Sequence, residues 1–406
     1  MGINVLGLAF LLLLLVLVNC VFALKSICYR YSYKNKLSKF DFSWKPLAAV
    51  FVPCKGIEEG MEKYLRAMLT QNYPNYRVYF VVESESDPAF EFVKKLSLEY
   101  EHSCVTVAGR TEKCCQKNHN LLAGINIELQ REDKAEVFIF ADADVKPSAS
   151  WMQDLILPMS DKNISATTAY RWLKPRKFSF WGTMHAMLSA YLGTLMSSSK
   201  GMWGGSMAIK TNEFIKYGVK ERWETAVGDD IPLMEIIIKN KLNRVFVPIC
   251  TAESVNVIDK FKPLFAWFVR QNQYLKIYCN NLWLTAYVLT VSNSLTVVLV
   301  PFVLLFLLLF TQKDSASAII SARMLFVYIL LAYMILMLFV MALSRFEGKE
   351  GQSYLVWVLM AYPSMVMGVA TMIASGFQSD LIWRGIRYGV NKDGSVSFVK
   401  VENERG

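Results

Sequence analysis

The chain has 406 residues, of which 54% are hydrophobic and only 19% are charged. A soluble domain carries about 25% charged residues, so the composition excludes disordered and collagen-like classes and indicates a membrane protein. The 44 basic and 34 acidic residues give a formal net charge of +10. In an apolar chain this excess favours membrane topology over nucleic-acid binding, and no basic stripe with interleaved aromatic residues is present.

The first predicted element is a membrane anchor at residues 1–25. No charge occurs between Ile3 and Leu24, and about 20 apolar residues are enough to cross a hydrocarbon core. Lys25, Arg30 and Lys34 follow directly, which predicts that the next segment is cytoplasmic. A cleaved signal peptide has its basic residues before the apolar run, so we expect an anchor. The eight cysteines contain no C-x-x-C pair, which is typical of a reducing compartment.

Residues 45–255 are predicted to form one α/β domain. Strands are expected at Ala48–Pro53, Tyr76–Val82 and Val137–Phe140, with helical patterns between them. This alternation predicts a mostly parallel sheet covered on both faces. Ligands bind such sheets at the carboxyl ends of the strands. The apolar stretch Phe178–Ser199 contains polar residues, and we interpret it as an amphipathic surface helix near the bilayer.

Two carboxylates directly follow the last of these strands. Asp142 and Asp144 are separated by one residue, so both can reach one ion. Mg²⁺ or Mn²⁺ is held by one or two carboxylates together with substrate phosphates. A solvated turn is the plain alternative, since a D-x-D pattern is common.

A second acidic pair, Asp229-Asp230, precedes Ile231-Pro232 and a helical pattern. A helix cap would explain one of these residues. The other could act as a general base on a hydroxyl group.

Three further segments contain candidate binding residues. Lys117 and Asn120 open a predicted helix, where a lysine adds charge beside bound phosphates; a solvated lysine is the alternative. The glycines of Trp203-Gly204-Gly205 permit close backbone approach or an ordinary turn. Residues 270–274 lie in an aromatic-rich stretch that also fits an interfacial belt.

The remaining chain is predicted to be membrane-associated. Residues 256–281 are expected to form an interfacial amphipathic segment. Residues 282–377 contain apolar stretches at about 282–310, 324–343 and 354–377, which predict about three transmembrane helices. Residues 378–406 are a basic tail. Four complete crossings would put this tail outside, so we expect the last stretch not to cross fully.

Taken together, these pieces resemble membrane-bound inverting glycosyltransferases of the GT-A fold, and most closely the ceramide glucosyltransferase-like branch. The resemblance covers about residues 48–280 with the flanking apolar segments. It rests on seven pieces in order: FVPCKG, NY, ESESDPAF, QKNHNLL, ADAD, WGGSMAIK and GDD; the tail motif IWRGIRY is also similar.

The resemblance implies transfer of a hexose, with glucose expected, from a UDP-sugar to a ceramide-like lipid hydroxyl, with inversion and on the cytoplasmic face of a multi-pass membrane protein. Asp142 and Asp144 would hold Mn²⁺ or Mg²⁺, and Asp230 would be the base. The nucleotide-sugar site would also include Glu83, Glu85, Lys117, Asn120, Arg270, Gln273 and Tyr274. The acceptor site would include Trp203, Gly204, Gly205 and Asp229.

Two departures from the family pattern leave alternatives open. The family's Q/R-x-x-R-W motif reads R-Q-N-Q-Y here, so a neutral Gln273 stands where an arginine would offset phosphate charge. The family's first acidic residue falls at Ser84, between Glu83 and Glu85. A processive polysaccharide synthase and a non-catalytic membrane scaffold with a nucleotide-binding fold are the alternatives.

Overall fold

A seven-stranded sheet forms the centre of this computed structural model, in the strand order β3-β2-β1-β4-β7-β5-β8. The structure describes residues 5–175, 177–294 and 353–402, and positions 327, 331, 334, 335 and 338. The first nine strands are β1 (Ala48–Pro53), β2 (Tyr76–Val82), β3 (Ser103–Val107), β4 (Val137–Ala141), β5 (Ile164–Thr168), β6 (Arg171–Leu173), β7 (Ser206–Lys210), β8 (Asn243–Phe246) and β9 (Ala252–Ser254). Strands β6 and β9 form a separate parallel pair.

Helices cover the sheet on both faces and continue into the C-terminal region. They are α1 (Val5–Lys36), α2 (Met61–Leu69), α3 (Pro88–Ser97), α4 (Gln116–Leu129), α5 (Trp151–Ile156), α6 (Phe180–Ser199), α7 (Thr211–Lys216), α8 (Val219–Trp223), α9 (Asp230–Lys239), α10 (Phe261–Tyr278), α11 (Asn280–Ser294) and α12 (Tyr354–Phe377). Local signals explain such boundaries. Asp87 caps α3 by accepting a hydrogen bond from the Ala89 amide, and Pro88 occupies the first turn.

The sheet register brings the ends of three strands together. β1 pairs in parallel with both β2 and β4, so the residues after all three strands lie at one edge, as the alternating pattern predicts. β7 runs antiparallel between β4 and β5, and this reversal brings the Trp203–Gly205 segment to the same edge. The rings of Phe51 in β1 and Tyr79 in β2 stack with their centroids 5.2 Å apart.

The prediction of a surface helix at Phe178–Ser199 is wrong, because α6 is mostly buried. Its small residues, including Ser189, Gly193 and Ser197, allow close packing, and the Ser197 hydroxyl is hydrogen-bonded to that of Ser26 in α1. Because apolar and small residues surround the whole helix, it has no polar face to present to water.

Leu355–Phe377 in α12 is the one helix in the described ranges that is long and apolar enough to cross a membrane. This segment was expected not to cross fully, yet it is one continuous helix through Pro363. The predicted anchor at 1–25 falls in α1, which continues past Lys25 to Lys36, and its crossing stays a prediction. Most of the stretches at 282–310 and 324–343 lies outside the described residues.

The predicted basic tail forms a three-stranded antiparallel sheet of β10 (Asp380–Trp383), β11 (Ile386–Val390) and β12 (Val396–Val401). This tail sheet docks on the α/β domain, where the Val396 amide donates to the Thr225 carbonyl at 2.7 Å. Residues 279 and 379 are therefore both next to the same domain. The number of spans in the predicted C-terminal membrane region stays a prediction, since most of that region lies outside the described residues.

Candidate active site

Lys117 connects the two acidic pairs that the sequence singles out. Its Nζ lies 2.8 Å from Asp142 Oδ1 and 2.9 Å from Asp229 Oδ2. Burial opposes the charge of Lys117, but Asp142 and Asp229 outweigh it and hold its pKa well above the usual value. The lysine is 15% exposed and therefore is not a solvated helix-surface residue. It holds the end of β4 and the start of α9 together.

Asp142 and Asp144 fit a divalent cation. Asp142 Oδ1 faces Lys117, and Arg171 donates to Asp144 Oδ2 at 3.1 Å. The other oxygen of Asp144, Oδ1, is buried without a hydrogen-bond partner in the described ranges. Burial raises the pKa of Asp144 despite Arg171, whereas Lys117 overcomes the effect of burial and lowers the pKa of Asp142.

The described residues contain no cluster of three or more His, Cys, Asp or Glu side chains that could hold a metal ion. The other ligands of a cation bound to the two aspartates would therefore be phosphate and water oxygens. This arrangement suits Mg²⁺ and Mn²⁺, which bind through one or two carboxylates and a substrate's phosphates.

Asp229 and Asp230 have different surroundings. Asp229 occupies the N-cap position of α9 without a side-chain cap hydrogen bond, and its carboxylate instead pairs with Lys117. Asp230 accepts hydrogen bonds from the amides of Gly204 at 3.1 Å and Ile231 at 2.7 Å. Burial, together with the negative charge of Asp229, raises the pKa of Asp230 to about 7. A carboxyl that has a pKa near neutrality, and no ion-pair partner in the part of the chain that the structure describes, is suited to proton transfer.

The two glycines before β7 are required by close packing. A Cβ at Gly204 would lie 2.1 Å from Asp229 Oδ2, and one at Gly205 would lie 2.2 Å from the Trp203 ring. Any larger residue would displace the acidic pair or the indole. The Trp203 ring packs edge-on against Tyr170 at 5.1 Å.

The R-Q-N-Q-Y segment lies in α10, and its residues face different ways. Arg270 and Tyr274 line the cavity described below, and Tyr274 packs against Gly228, next to the acidic pair. Gln273 is buried outside that cavity and donates to the Asp380 carbonyl at 2.9 Å. Gln273, which stands where the motif would have an arginine, therefore joins α10 to the tail sheet.

The predicted nucleotide residues near β2 are less central. Glu83 directly follows β2 and forms ion pairs with Lys55 at 3.1 Å and with Arg110 at 2.9 Å. Glu85 is exposed on the following turn. Neither is part of the cavity wall, although Lys55 is. Asn120 is at the wall and accepts a hydrogen bond from Gln116.

A cavity of about 1230 Å³ collects most of these groups. Its polar end contains side chains named above: Lys117, Asn120, Asp142, Asp144, Asp229, Asp230, Arg270 and Tyr274. Apolar side chains of α6 and α11 also line it, among them Leu192, Leu195, Leu282 and Leu289. One cavity is thus lined both by a cluster of charged side chains and by hydrocarbon side chains.

Several cavity residues were not predicted as site residues. Arg171 was missed because nothing in its local sequence marks it; it lies between the rings of Trp203 and Trp267. His185 accepts a hydrogen bond at Nδ1 from the Ile258 amide, and burial holds its pKa well below the usual value. Arg384 comes from the tail motif IWRGIRY and ion-pairs with Glu58. Of these three residues, only Arg384 lies in a sequence motif that could have marked it as a site residue.

The fold and this site define a class of protein: a glycosyltransferase enzyme with a GT-A type, Rossmann-like α/β domain. The structure is similar to that of the mannosyltransferase PcManGT from Pyrobaculum calidifontis in complex with GDP-Man and Mn²⁺, at 15% identity and a TM-score of 0.52 over 89% of this chain and 99% of that one. At that identity the likeness shows the fold alone. GalNAc-T7 with UDP, GalNAc and Mn²⁺ matches at 14% identity and a TM-score of 0.38, over 58% of this chain and 50% of that one.

The sequence gives the family. Residues 11–218, about half of the chain, match the model of glycosyl transferase family 21, and the chain belongs to this family.

Proposed function

We propose that this enzyme transfers a hexose, with glucose as the expected sugar, from a UDP-sugar to the hydroxyl of a ceramide-like lipid with inversion. The observation that carries the proposal is one cavity that is lined by carboxylates and guanidinium groups and also by apolar side chains of α6 and α11. A nucleoside diphosphate needs the charged end, and a lipid needs the apolar one. The match to family 21 supports the same assignment.

The donor would lie across the carboxyl ends of β1 and β4. Asp142 and Asp144 would hold Mn²⁺ or Mg²⁺, which supplies positive charge to the diphosphate when bound. Lys117 keeps Asp142 ionised and oriented, and Arg171 orients Asp144 through its hydrogen bond. Asn120 and Arg270 lie on the same wall and would contact the sugar nucleotide.

The acceptor hydroxyl would be activated by Asp230. Asp229 pairs with Lys117, whereas among the described residues Asp230 accepts hydrogen bonds from backbone amides alone, and it lines the cavity. Its carboxylate would remove the hydroxyl proton as the oxygen attacks the anomeric carbon from the face opposite the diphosphate. A single displacement of this kind inverts the configuration at that carbon.

The acceptor's chains would extend along the apolar channel. Trp203 and Leu192 line the same cavity as Asp230, and α12 is long and apolar enough to enter a bilayer. We propose that the bilayer supplies the acceptor and that the catalytic domain lies on its cytoplasmic face, beside the basic residues that follow the first apolar segment.

The test is a product scan with purified protein in nanodiscs, Mn²⁺, a panel of UDP-sugars and mixed membrane lipids. Mass spectrometry should find a hexosyl-lipid whose formation EDTA abolishes, and NMR of the product should show the inverted anomer. A polymer without any lipid product would support the polysaccharide synthase instead. Nucleotide binding without any product would contradict the proposed acceptor and reaction.

A further inference from the structure

We propose that Arg384, supplied by the tail sheet, is a donor-binding residue that contacts the diphosphate and provides the positive charge missing at Gln273. This inference rests on the proposed sugar-nucleotide donor. It gives residues 378–406, which the sequence predicts only as a basic tail, a direct role in the site.

The tail sheet is fixed to the elements that carry the acidic residues. The Gln116 amide at the start of α4 donates to the Tyr388 hydroxyl at 3.2 Å. The Tyr278 hydroxyl accepts from the Val227 amide, two residues before Asp229, and donates to the Gly394 carbonyl, each at 2.9 Å. These buried contacts leave the turn between β10 and β11 in a defined place at the cavity.

Arg384 and Gly385 are the two residues of that turn, since Trp383 and Ile386 pair directly. Arg384 and Gly385 both have positive φ, 47° and 75°, as a two-residue hairpin turn of type I′ requires. Asparagine or glycine is the favoured residue at the first of these two positions. An arginine there has an unfavourable backbone conformation for an ordinary turn. The Arg384 residue at this turn lines the cavity.

The guanidinium of Arg384 reaches the end of β1 and the carboxylate of Glu58. It donates to the Lys55 carbonyl at 3.2 Å and pairs with Glu58. Arg384, Asp142 and Asp144 line the same cavity. Arg384 therefore lies beside the position proposed for the metal-bound diphosphate.

Two other cations of the cavity, Lys117 and Arg171, are more firmly engaged. Lys117 holds two carboxylates and Arg171 holds Asp144, so neither can turn to a phosphate without releasing an acidic residue. Arg384 and Glu58 are 39% and 30% exposed, and an ion pair with that much contact with water contributes little stability. A diphosphate, which offers bidentate acceptors to a guanidinium, can displace Glu58.

The test compares the affinities for UDP and UMP of four purified proteins in EDTA: wild type, Arg384→Ala, Glu58→Gln and the control Lys400→Ala. Lys400 is exposed on the same tail sheet. Arg384→Ala should weaken UDP binding by about tenfold or more and UMP binding much less, with Lys400→Ala close to wild type. Glu58→Gln removes the competing carboxylate, so it should bind UDP more tightly than wild type.

Unchanged UDP affinity in Arg384→Ala would overturn the assignment while leaving the proposed function intact. If Arg384→Ala does not fold, Glu58→Gln decides, and UDP affinity at or below the wild-type value overturns the assignment. A wild-type protein that binds no UDP with or without Mn²⁺ overturns the proposed donor itself, and this inference with it.

Discussion

Replacing Lys117 by methionine tests the bridge between Asp142 and Asp229. The substitution keeps the unbranched chain but leaves two carboxylates, 27% and 8% exposed, without their shared cation. Removal of one partner from a buried ion pair costs about 3–5 kcal/mol. Since Asp142 retains some contact with water, we expect the lower end, about 3 kcal/mol.

For a domain of this size each kcal/mol shifts the melting temperature by about 2–4 °C, so Lys117→Met should melt about 6–12 °C below wild type. The assay is thermal unfolding in detergent followed by tryptophan fluorescence. Lys134→Met, at an exposed lysine before β4, is the control and should melt with wild type. Adding Asp229→Asn to Lys117→Met removes one of the two unpaired charges and should recover part of the loss.

A Lys117→Met protein that melts within about 2 °C of wild type would refute the reasoning. It would show that the two carboxylates are solvated or protonated at little cost, and that Lys117 does not hold them in place.

Three further outcomes are expected. Gly204→Ala places a methyl group 2.1 Å from Asp229 Oδ2, and the variant should lose most transferase activity. In the control Gly376→Ala the nearest contact of the methyl group is at 3.7 Å, and activity should be retained. Equal activities of the two variants would contradict the packing argument. Burial and the charge of Asp229 raise the pKa of Asp230 to about 7. Because only the ionised carboxylate accepts a proton, kcat/KM should fall as the pH drops below that value. A flat pH profile of kcat/KM from pH 5 to 8 would exclude Asp230 as the base. Arg171→Gln removes the cation that orients Asp144 and should raise the Mn²⁺ concentration for half-maximal activity by about 10–100-fold; an unchanged Mn²⁺ dependence would show that Arg171 has no part in the metal site.

The sequence predicts the first half of the sheet well, because the signals there are local. Strands β1 and β2 have the predicted bounds, and β4 is one residue longer than predicted. The alternation with helices also predicts which strand ends meet. The antiparallel β7 could not be foreseen, since its position between β4 and β5 depends on pairing across distant parts of the chain.

The candidate site follows the same division. Asp142, Asp144 and the Asp229-Asp230 pair are recognisable from their neighbours in sequence. The contacts that give these residues different properties are long-range: Lys117 to Asp229, Arg171 to Asp144, and Gly204 to Asp230. The tail sheet was missed because its strands are short and charged residues conceal their alternation. Arg384 reaches the end of β1 across 329 residues.

The most direct test of the account is to measure sugar transfer and UDP-sugar binding by Asp230→Asn in the presence of Mn²⁺. The variant keeps the size of the side chain and removes the proton acceptor. We expect transfer to the lipid to fall by about 10²–10⁴-fold, the usual contribution of a general base, with UDP-sugar affinity close to wild type. An Asp230→Asn enzyme that transfers sugar at the wild-type rate would contradict the assignment of the base and the single-displacement reaction built on it.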